Sequence, residues 1–250
     1  MTTIVSTELF KLRTTRAPWV MATTLGALVA AVLALNAVLL GRPGQPTLAP
    51  SVLGEFARAP GSWVSAAALL LGLLLSTGEY RHGTVLTTRL GHPGVPALVL
   101  GKATDAALAG VALTVAVELI MIGGGAVVLA GRGIAVEPLQ HGVPPAVAGI
   151  ALVTALYAVA GVGIGELLRN PALAVGAVFG VFVLDGVLPV VLREPGLTRW
   201  LPNGATNSAL TLGWVHDTAL LVPWAGILML AAYAIGLLLA GVSRSSTTDP

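Results

Sequence analysis

Long apolar runs, separated by short polar connections, dominate the chain. A membrane-spanning helix needs about 20 mostly apolar residues, because each residue adds about 1.5 Å across a hydrocarbon core about 30 Å thick. Six runs qualify, at about 19–40, 62–77, 106–130, 145–168, 171–192 and 218–242. Backbone polar groups in lipid must be paired within their own segment, so these runs predict an all-α integral membrane protein with six transmembrane helices and a single domain over 1–250.

The segment that precedes the first run differs from it in composition. Residues 1–17 mix apolar and basic side chains, which predicts an interfacial helix lying flat on the membrane; the alternative is a basic tail that only sets topology. The apolar run that follows is longer than the roughly 7–15 residues of a signal-peptide core, so we expect it to be retained.

Two connections are long and one is minimal. Residues 78–102 form the longest connection on the side of the termini, with room for one or two helical turns. Residues 193–217 form a long loop on the other side, with tryptophans suited to the headgroup level. Only Arg169 and Asn170 separate the fourth and fifth runs, which predicts a tight helical hairpin.

The composition strengthens the membrane assignment. Hydrophobic residues make up 56% of the chain and charged residues 10%, and the mean hydropathy is +0.91. A soluble domain carries about 25% charged residues, so the composition excludes a soluble enzyme and a disordered chain. The chain has no cysteine, which excludes a disulfide scaffold and thiolate chemistry.

The basic residues indicate orientation. With six spans both termini lie on one side, which collects Lys11, Arg13, Arg16, Arg81, Arg89, Lys102, Arg169 and Arg244. The other side collects Arg42, Arg58, Arg132, Arg193 and Arg199. The bias of eight against five, and the cluster before the first span, predict cytoplasmic termini. Basic residues scattered in this way do not form a nucleic-acid surface.

The motifs of catalysis and nucleotide binding are missing from the sequence. Gly101-Lys102 is followed by Ala103, and Pro96 stands where a phosphate-binding loop needs its first glycine. The four histidines are dispersed over loops on both sides, which argues against a shared metal site. We therefore expect no catalytic residue, no metal and no cofactor in this chain, and no enzyme activity of its own.

Two carboxylates fall inside predicted spans. Glu118 lies midway along the third run and Asp185 within the fifth, and no basic residue lies at matching depth. A charge at the bilayer centre costs at least about 2.5 kcal/mol, so such residues face the bundle interior or a wet cavity. Each is a candidate for the translocation path or, alternatively, a neutral acid hydrogen-bonded to a neighbouring helix.

Small residues recur at helical spacing. Gly161-x-x-x-Gly165 and Gly176-x-x-x-Gly180 both fit close helix packing. Glycine and alanine are so common in this chain that neither pair identifies a dimer face.

The order of these features suggests a family. An amphipathic N-terminal segment and one span are followed by a second span that ends in Glu79-Tyr80-Arg81-His82-Gly83-Thr84, and the last outer loop contains Leu201-Pro202-Asn203-Gly204-Ala205. Over essentially its whole length the chain resembles the membrane subunit of ABC type-2 transporters, the permease of small bacterial ABC exporters.

The resemblance implies a fold, partners and a location. Residues 1–17 would be an elbow helix, and 78–102 would carry a coupling helix that docks on a separate ATPase subunit, which would bind ATP and Mg²⁺. Re-entrant helices within 193–217 would cap the outer exit. Two permease subunits and two ATPase subunits would form a multidrug-type exporter in the bacterial plasma membrane. A homodimer of permeases is favoured over a heterodimer. The implied ATPase-coupling residues are Glu79, Tyr80, Arg81, His82, Gly83, Thr84 and Arg89.

The coupling loop also has a physical rationale. Arg81, His82 and Arg89 offer polar contacts, while an apolar face that suits a groove on a soluble partner is formed by Val85, Leu86 and Leu90. The alternative is a solvated loop whose charges only set topology. The few charges in the spans favour an amphipathic or lipid-like substrate, such as a drug, peptide or lipid. The alternative from another class is a proton-coupled carrier with Glu118 as its carboxylate.

Overall fold

The computed structural model describes residues 16–40, 49–82, 94–137, 142–210 and 220–247. These residues are mostly helical, and none of them forms a strand. We number the helices α1 (Arg16–Leu39), α2 (Val52–Arg58), α3 (Gly61–His82), α4 (Val95–Ala130), α5 (Val143–Leu168), α6 (Pro171–Val191), α7 (Pro202–Leu210) and α8 (Pro223–Thr247), with a 3₁₀ helix at Pro195–Trp200 before α7.

Five helical stretches are long and apolar enough to cross a membrane. They are Val52–Gly78, which joins α2 to α3, and the helices α4, α5, α6 and α8. The described apolar part of α1 is shorter, Gly26–Leu39. The all-helical, multi-pass character predicted from the sequence is thus confirmed. The sixth span and the side on which the termini lie stay predictions, and residues 1–15 of the predicted elbow helix lie outside the described residues.

The α5 helix lies at the centre of the bundle, where it packs against α3, α4 and α8. Glycine makes the close approach possible. A Cβ on Gly161 would collide with the carbonyl oxygen of Leu69 in α3, and one on Gly163 would lie 2.5 Å from the backbone carbon of Leu237 in α8. The backbones of α3, α5 and α8 are therefore in contact along the core.

The two glycine pairs predicted from the sequence behave differently. Gly161 and Gly165 both face α3, and a Cβ on Gly165 would lie 2.7 Å from the Cβ of Ser76. Around Gly176 and Gly180 of α6 there is nothing within 4 Å of such a Cβ. The first pair is a packing surface, while the second lies open on a peripheral helix.

The predicted 78–102 connection is shorter than the sequence indicates. The α3 helix runs on to His82 and α4 begins at Val95, so Lys102 lies about two turns inside a helix. Pro96 lies in the first turn of α4, where its missing N–H has no helical partner to lose. Residues 83–93 lie outside the described residues.

The two-residue connection between α5 and α6 forms the tight hairpin that its length predicts. Arg169 adopts a left-handed conformation with φ 54° and ends α5. The side chain of Asn170 then accepts hydrogen bonds from the backbone N–H groups of Ala172 and Leu173, which caps the start of α6.

The long loop after α6 folds back into the bundle. Residues Gly204 to Leu210 of α7 are all buried, and α7 packs mainly on α8. A Cβ on Gly226 of α8 would lie 2.6 Å from the carbonyl oxygen of Ala205. Residues 211–219 lie outside the described part of the chain, and the depth of α7 in the membrane stays a prediction.

Candidate functional site

A buried carboxylate joins four helices at one end of the bundle. Glu166 lies in the last turn of α5 and is 2% exposed. Its Oε1 accepts from Ser76 Oγ and Lys102 Nζ, both at 2.9 Å, and its Oε2 accepts from Tyr80 OH at 2.7 Å and Ser245 Oγ at 2.9 Å. We call these five residues the Glu166 cluster.

The surrounding sequence makes room for the cluster. Gly165 lets Ser76 of α3 approach α5, and a Cβ on Gly241 of α8 would lie 3.0 Å from the Cβ of Glu166. Ser245 follows Gly241 by one helical turn and lies on the same face of α8. Small residues thus bring α3 and α8 within hydrogen-bond distance of the carboxylate, and α4 reaches it through the long side chain of Lys102.

Lys102 and Glu166 form a buried ion pair. Their side chains are 11% and 2% exposed. Burying two charges is costly unless hydrogen bonds satisfy them, and here four donors bind the two carboxylate oxygens. The pair is therefore built to hold α4 and α5 at a defined separation.

Tyr80 links this cluster to a further cation. It lies beyond the apolar stretch Val52–Gly78, and burial together with the nearby Glu166 carboxylate raises the pKa of its phenol. The phenol thus stays protonated and donates to Glu166. The guanidinium of Arg169 lies 5.5 Å from the centre of the Tyr80 ring and donates to the Arg244 carbonyl at 3.1 Å.

The cluster anchors both flanks of one connection. Tyr80 precedes residues 83–93 and Lys102 follows them, and both side chains contact the same carboxylate. Glu166 itself lies on α5, and Ser245 adds α8. The chain on either side of the predicted coupling segment is thus fixed to the two helices that form the core.

Few of the predicted coupling residues can be placed. Tyr80 belongs to the Glu166 cluster. Glu79, Arg81 and His82 lie in the last turn of α3, but their side chains are outside what the structure describes. Gly83, Thr84 and Arg89 lie outside the described residues altogether.

Glu118 lies in a contrasting environment. It is 2% exposed, and within the described part of the chain neither carboxylate oxygen has a hydrogen-bond partner. It follows Lys102 on α4 by 16 residues, which places it about 24 Å further along the helix axis. Burying an ionised carboxylate in an apolar interior without a partner costs free energy. Glu118 is therefore suited to binding a proton or a polar partner.

Asp185 ties the far end of α6 to α7. It is 5% exposed, and its Oδ2 accepts from the backbone N–H of Asn203 at 2.7 Å, in the first turn of α7. Negative charge at a helix N-terminus is stabilising. Tyr157 OH and Thr206 Oγ1, 2.8 Å apart, add a second tie between α5 and α7. One carboxylate oxygen thus ties α6 to α7, while Asp185 Oδ1 is buried without a hydrogen-bond partner among the described residues. A role of Asp185 in the translocation path stays a prediction.

Glu118 and Asp185 both lie far from the Glu166 cluster, Glu118 about 24 Å beyond Lys102 along α4 and Asp185 about 21 Å beyond the start of α6. Sequence analysis missed Glu166, Ser76 and Ser245, and placed Lys102 only as a topology signal. The sequence did contain a signal for the pairing of Glu166 with Lys102. Glu166 falls near the end of the predicted fourth span, and Lys102 was assigned to the side of the membrane on which that span ends. Within the described ranges, no group of three or more histidines and acidic residues is suited to a metal ion.

No protein-family model matches this chain, and no curated protein matches it in sequence.

Proposed function

We propose that this chain is the permease subunit of an ATP-driven ABC type-2 exporter of the bacterial plasma membrane. In this proposal it has six spans, an elbow helix, cytoplasmic termini and a second permease copy. A separate ATPase subunit binds residues 78–102 and supplies the energy. The substrate is amphipathic or lipid-like.

One observation supports this proposal more than any other. Both flanks of residues 83–93 are fixed to Glu166, and the same carboxylate holds α5 and α8. A displacement of the connection by a docked partner would therefore bear directly on the core helices. Coupling between distant sites travels through such contiguous polar networks and rigid helices.

A site-directed photo-cross-link tests the docking surface. A photoreactive amino acid replaces Thr84 in the native host, and the control replaces the exposed Ala135, which lies beyond the opposite end of α4. We expect Thr84, and not Ala135, to capture a soluble subunit whose sequence contains a phosphate-binding loop. Capture of no such subunit, or equal capture from both positions, would contradict the docking role.

A second function has its own support in Glu118. A proton-coupled carrier needs a buried carboxyl group that exchanges protons, and Glu118 is buried without a partner among the described residues. In this alternative Glu118→Gln abolishes substrate uptake driven by a pH gradient into reconstituted vesicles. In the exporter proposal the same variant retains ATP-dependent transport, so the two functions give opposite results.

A further inference from the structure

A narrow apolar cavity lies between α5, α6 and α8. Its volume is about 380 Å³, and its lining runs along one face of α5 from Leu156 to Leu168, with Ala177 to Phe182 of α6 and Leu230 to Leu237 of α8 as walls. All three segments lie within helices long and apolar enough to span a membrane. Val181 is half exposed, so the cavity opens between α6 and α8 towards the bilayer.

The lining offers no polar partner to a ligand. Among the described residues that line it, only Tyr157 and Tyr233 have polar side chains. Tyr157 OH pairs with Thr206 Oγ1, and Tyr233 OH donates to the carbonyl of Trp200. Water needs two or more polar partners to occupy such a site, so the chemistry of the cavity fits hydrocarbon.

The length of the cavity indicates which kind of hydrocarbon it binds. The α5 face from Leu156 to Leu168 is about 18 Å long at 1.5 Å per residue. This is a little more than half of a hydrocarbon core about 30 Å thick. The cavity is therefore about as long as one leaflet is deep, which suits a single extended acyl chain.

The two ends of the cavity differ in charge. Pro202, whose carbonyl lies 3.3 Å from Tyr157 OH, lines one end. At the other end Leu168 is followed directly by Arg169, a cation at the turn into α6 whose guanidinium is held by the Tyr80 ring and the Arg244 carbonyl. A cation at this position favours an anionic phosphate headgroup next to a chain that extends into the apolar lining.

We propose that this cavity is a binding site for one acyl chain of a membrane phospholipid, whose headgroup lies on the side of Arg169. The site does not depend on the proposed function, because binding of a lipid chain requires neither ATP nor a partner subunit.

Photolabelling tests the site directly. The full chain is reconstituted into vesicles of phosphatidylethanolamine and phosphatidylglycerol that contain a trace of phosphatidylglycerol with a diazirine in the middle of one acyl chain. After irradiation, mass spectrometry locates the adducts. We expect them to concentrate in 156–168, 177–182 and 230–237, above the yield at Leu119 and Val127, which are more exposed and lie on α4.

Cavity-filling variants make the test specific. Ala160→Phe places an aromatic ring inside the cavity. Because this ring displaces about two methylenes of the acyl chain, we expect labelling of 230–237 to fall by about tenfold. Ala177→Phe fills the cavity from the exposed wall if the first variant does not fold. The control Ala232→Phe, on an exposed face of α8 outside the lining, leaves labelling unchanged. Equal labelling of the α4 face, or no effect of either filling variant, would overturn the assignment.

Discussion

Two glutamates of equal burial show how partners, and not burial, decide the role of a carboxylate. Glu166 and Glu118 are both 2% exposed. Four donors bind Glu166, whereas no described residue donates to Glu118. Glu166 therefore connects neighbouring helices, whereas Glu118 is suited to binding a proton.

The Glu166 cluster makes a prediction about stability. Glu166→Gln removes the charge that Lys102 contacts at 2.9 Å, and breaking a buried ion pair costs about 3 kcal/mol. The matched control is Glu55→Gln, since Glu55 pairs with Arg58 at the surface with a side chain 62% exposed. Exposed pairs contribute less than about 1 kcal/mol. Thermal unfolding in detergent compares the two variants, and equal losses would show that the cluster does not hold the helices together.

The sequence identifies Glu118 but not Glu166, for a physical reason. Glu118 falls midway along an apolar run, where a charge is conspicuous. Glu166 lies near the end of its run, where a glutamate reaching the interface is unremarkable. Its partner Lys102 is 64 residues away in the chain, and only the packing of α4 against α5 brings the two side chains together.

At the scale of helices, glycine decides which surfaces meet. Gly161 and Gly165 bring α5 against α3, while Gly176 and Gly180 face open space. The two pairs have the same spacing in the sequence. Which pair forms a contact depends on the helix face that the fold covers, and no local pattern contains that information.

This difference predicts substitutions of opposite effect. Gly161→Ala forces a Cβ into the backbone of α3 at Leu69, and overpacking of this kind costs about 2 kcal/mol. Gly180→Ala meets nothing within 4 Å and gains up to about 1 kcal/mol in helix propensity. Unfolding of both variants in the same detergent measures the contrast. A loss of stability at Gly180 as large as that at Gly161 would refute the assigned packing.

Helix ends were predicted less well than helix positions. The long apolar runs located α4, α5, α6 and α8 because lipid-compatible stretches must be helical. The start of α4 was placed too late, because the apolar run was counted from 106, whereas the helix also includes the charged residues Lys102 and Asp105. The short helix α7 has a mixed composition and gains its burial from α8, which its own sequence does not reveal.

At the scale of the whole molecule, polar side chains tie the apolar bundle together at two places. The Glu166 cluster holds α3, α4, α5 and α8 at one end, and Asp185 with Tyr157 holds α7 near the middle of α5. Glu118 belongs to neither and has no hydrogen-bond partner among the described residues. The membrane character of the molecule follows from composition and hydropathy, whereas neither of these features identifies a function.

The most direct test of the exporter proposal is affinity purification of the chain from native host membranes in mild detergent, with quantitative mass spectrometry of what copurifies. We predict a soluble subunit with a phosphate-binding loop, in an amount comparable to that of the chain itself, and its loss when Glu79 and Arg81 are both replaced by alanine. A preparation that contains this chain alone in several mild detergents would contradict the proposal.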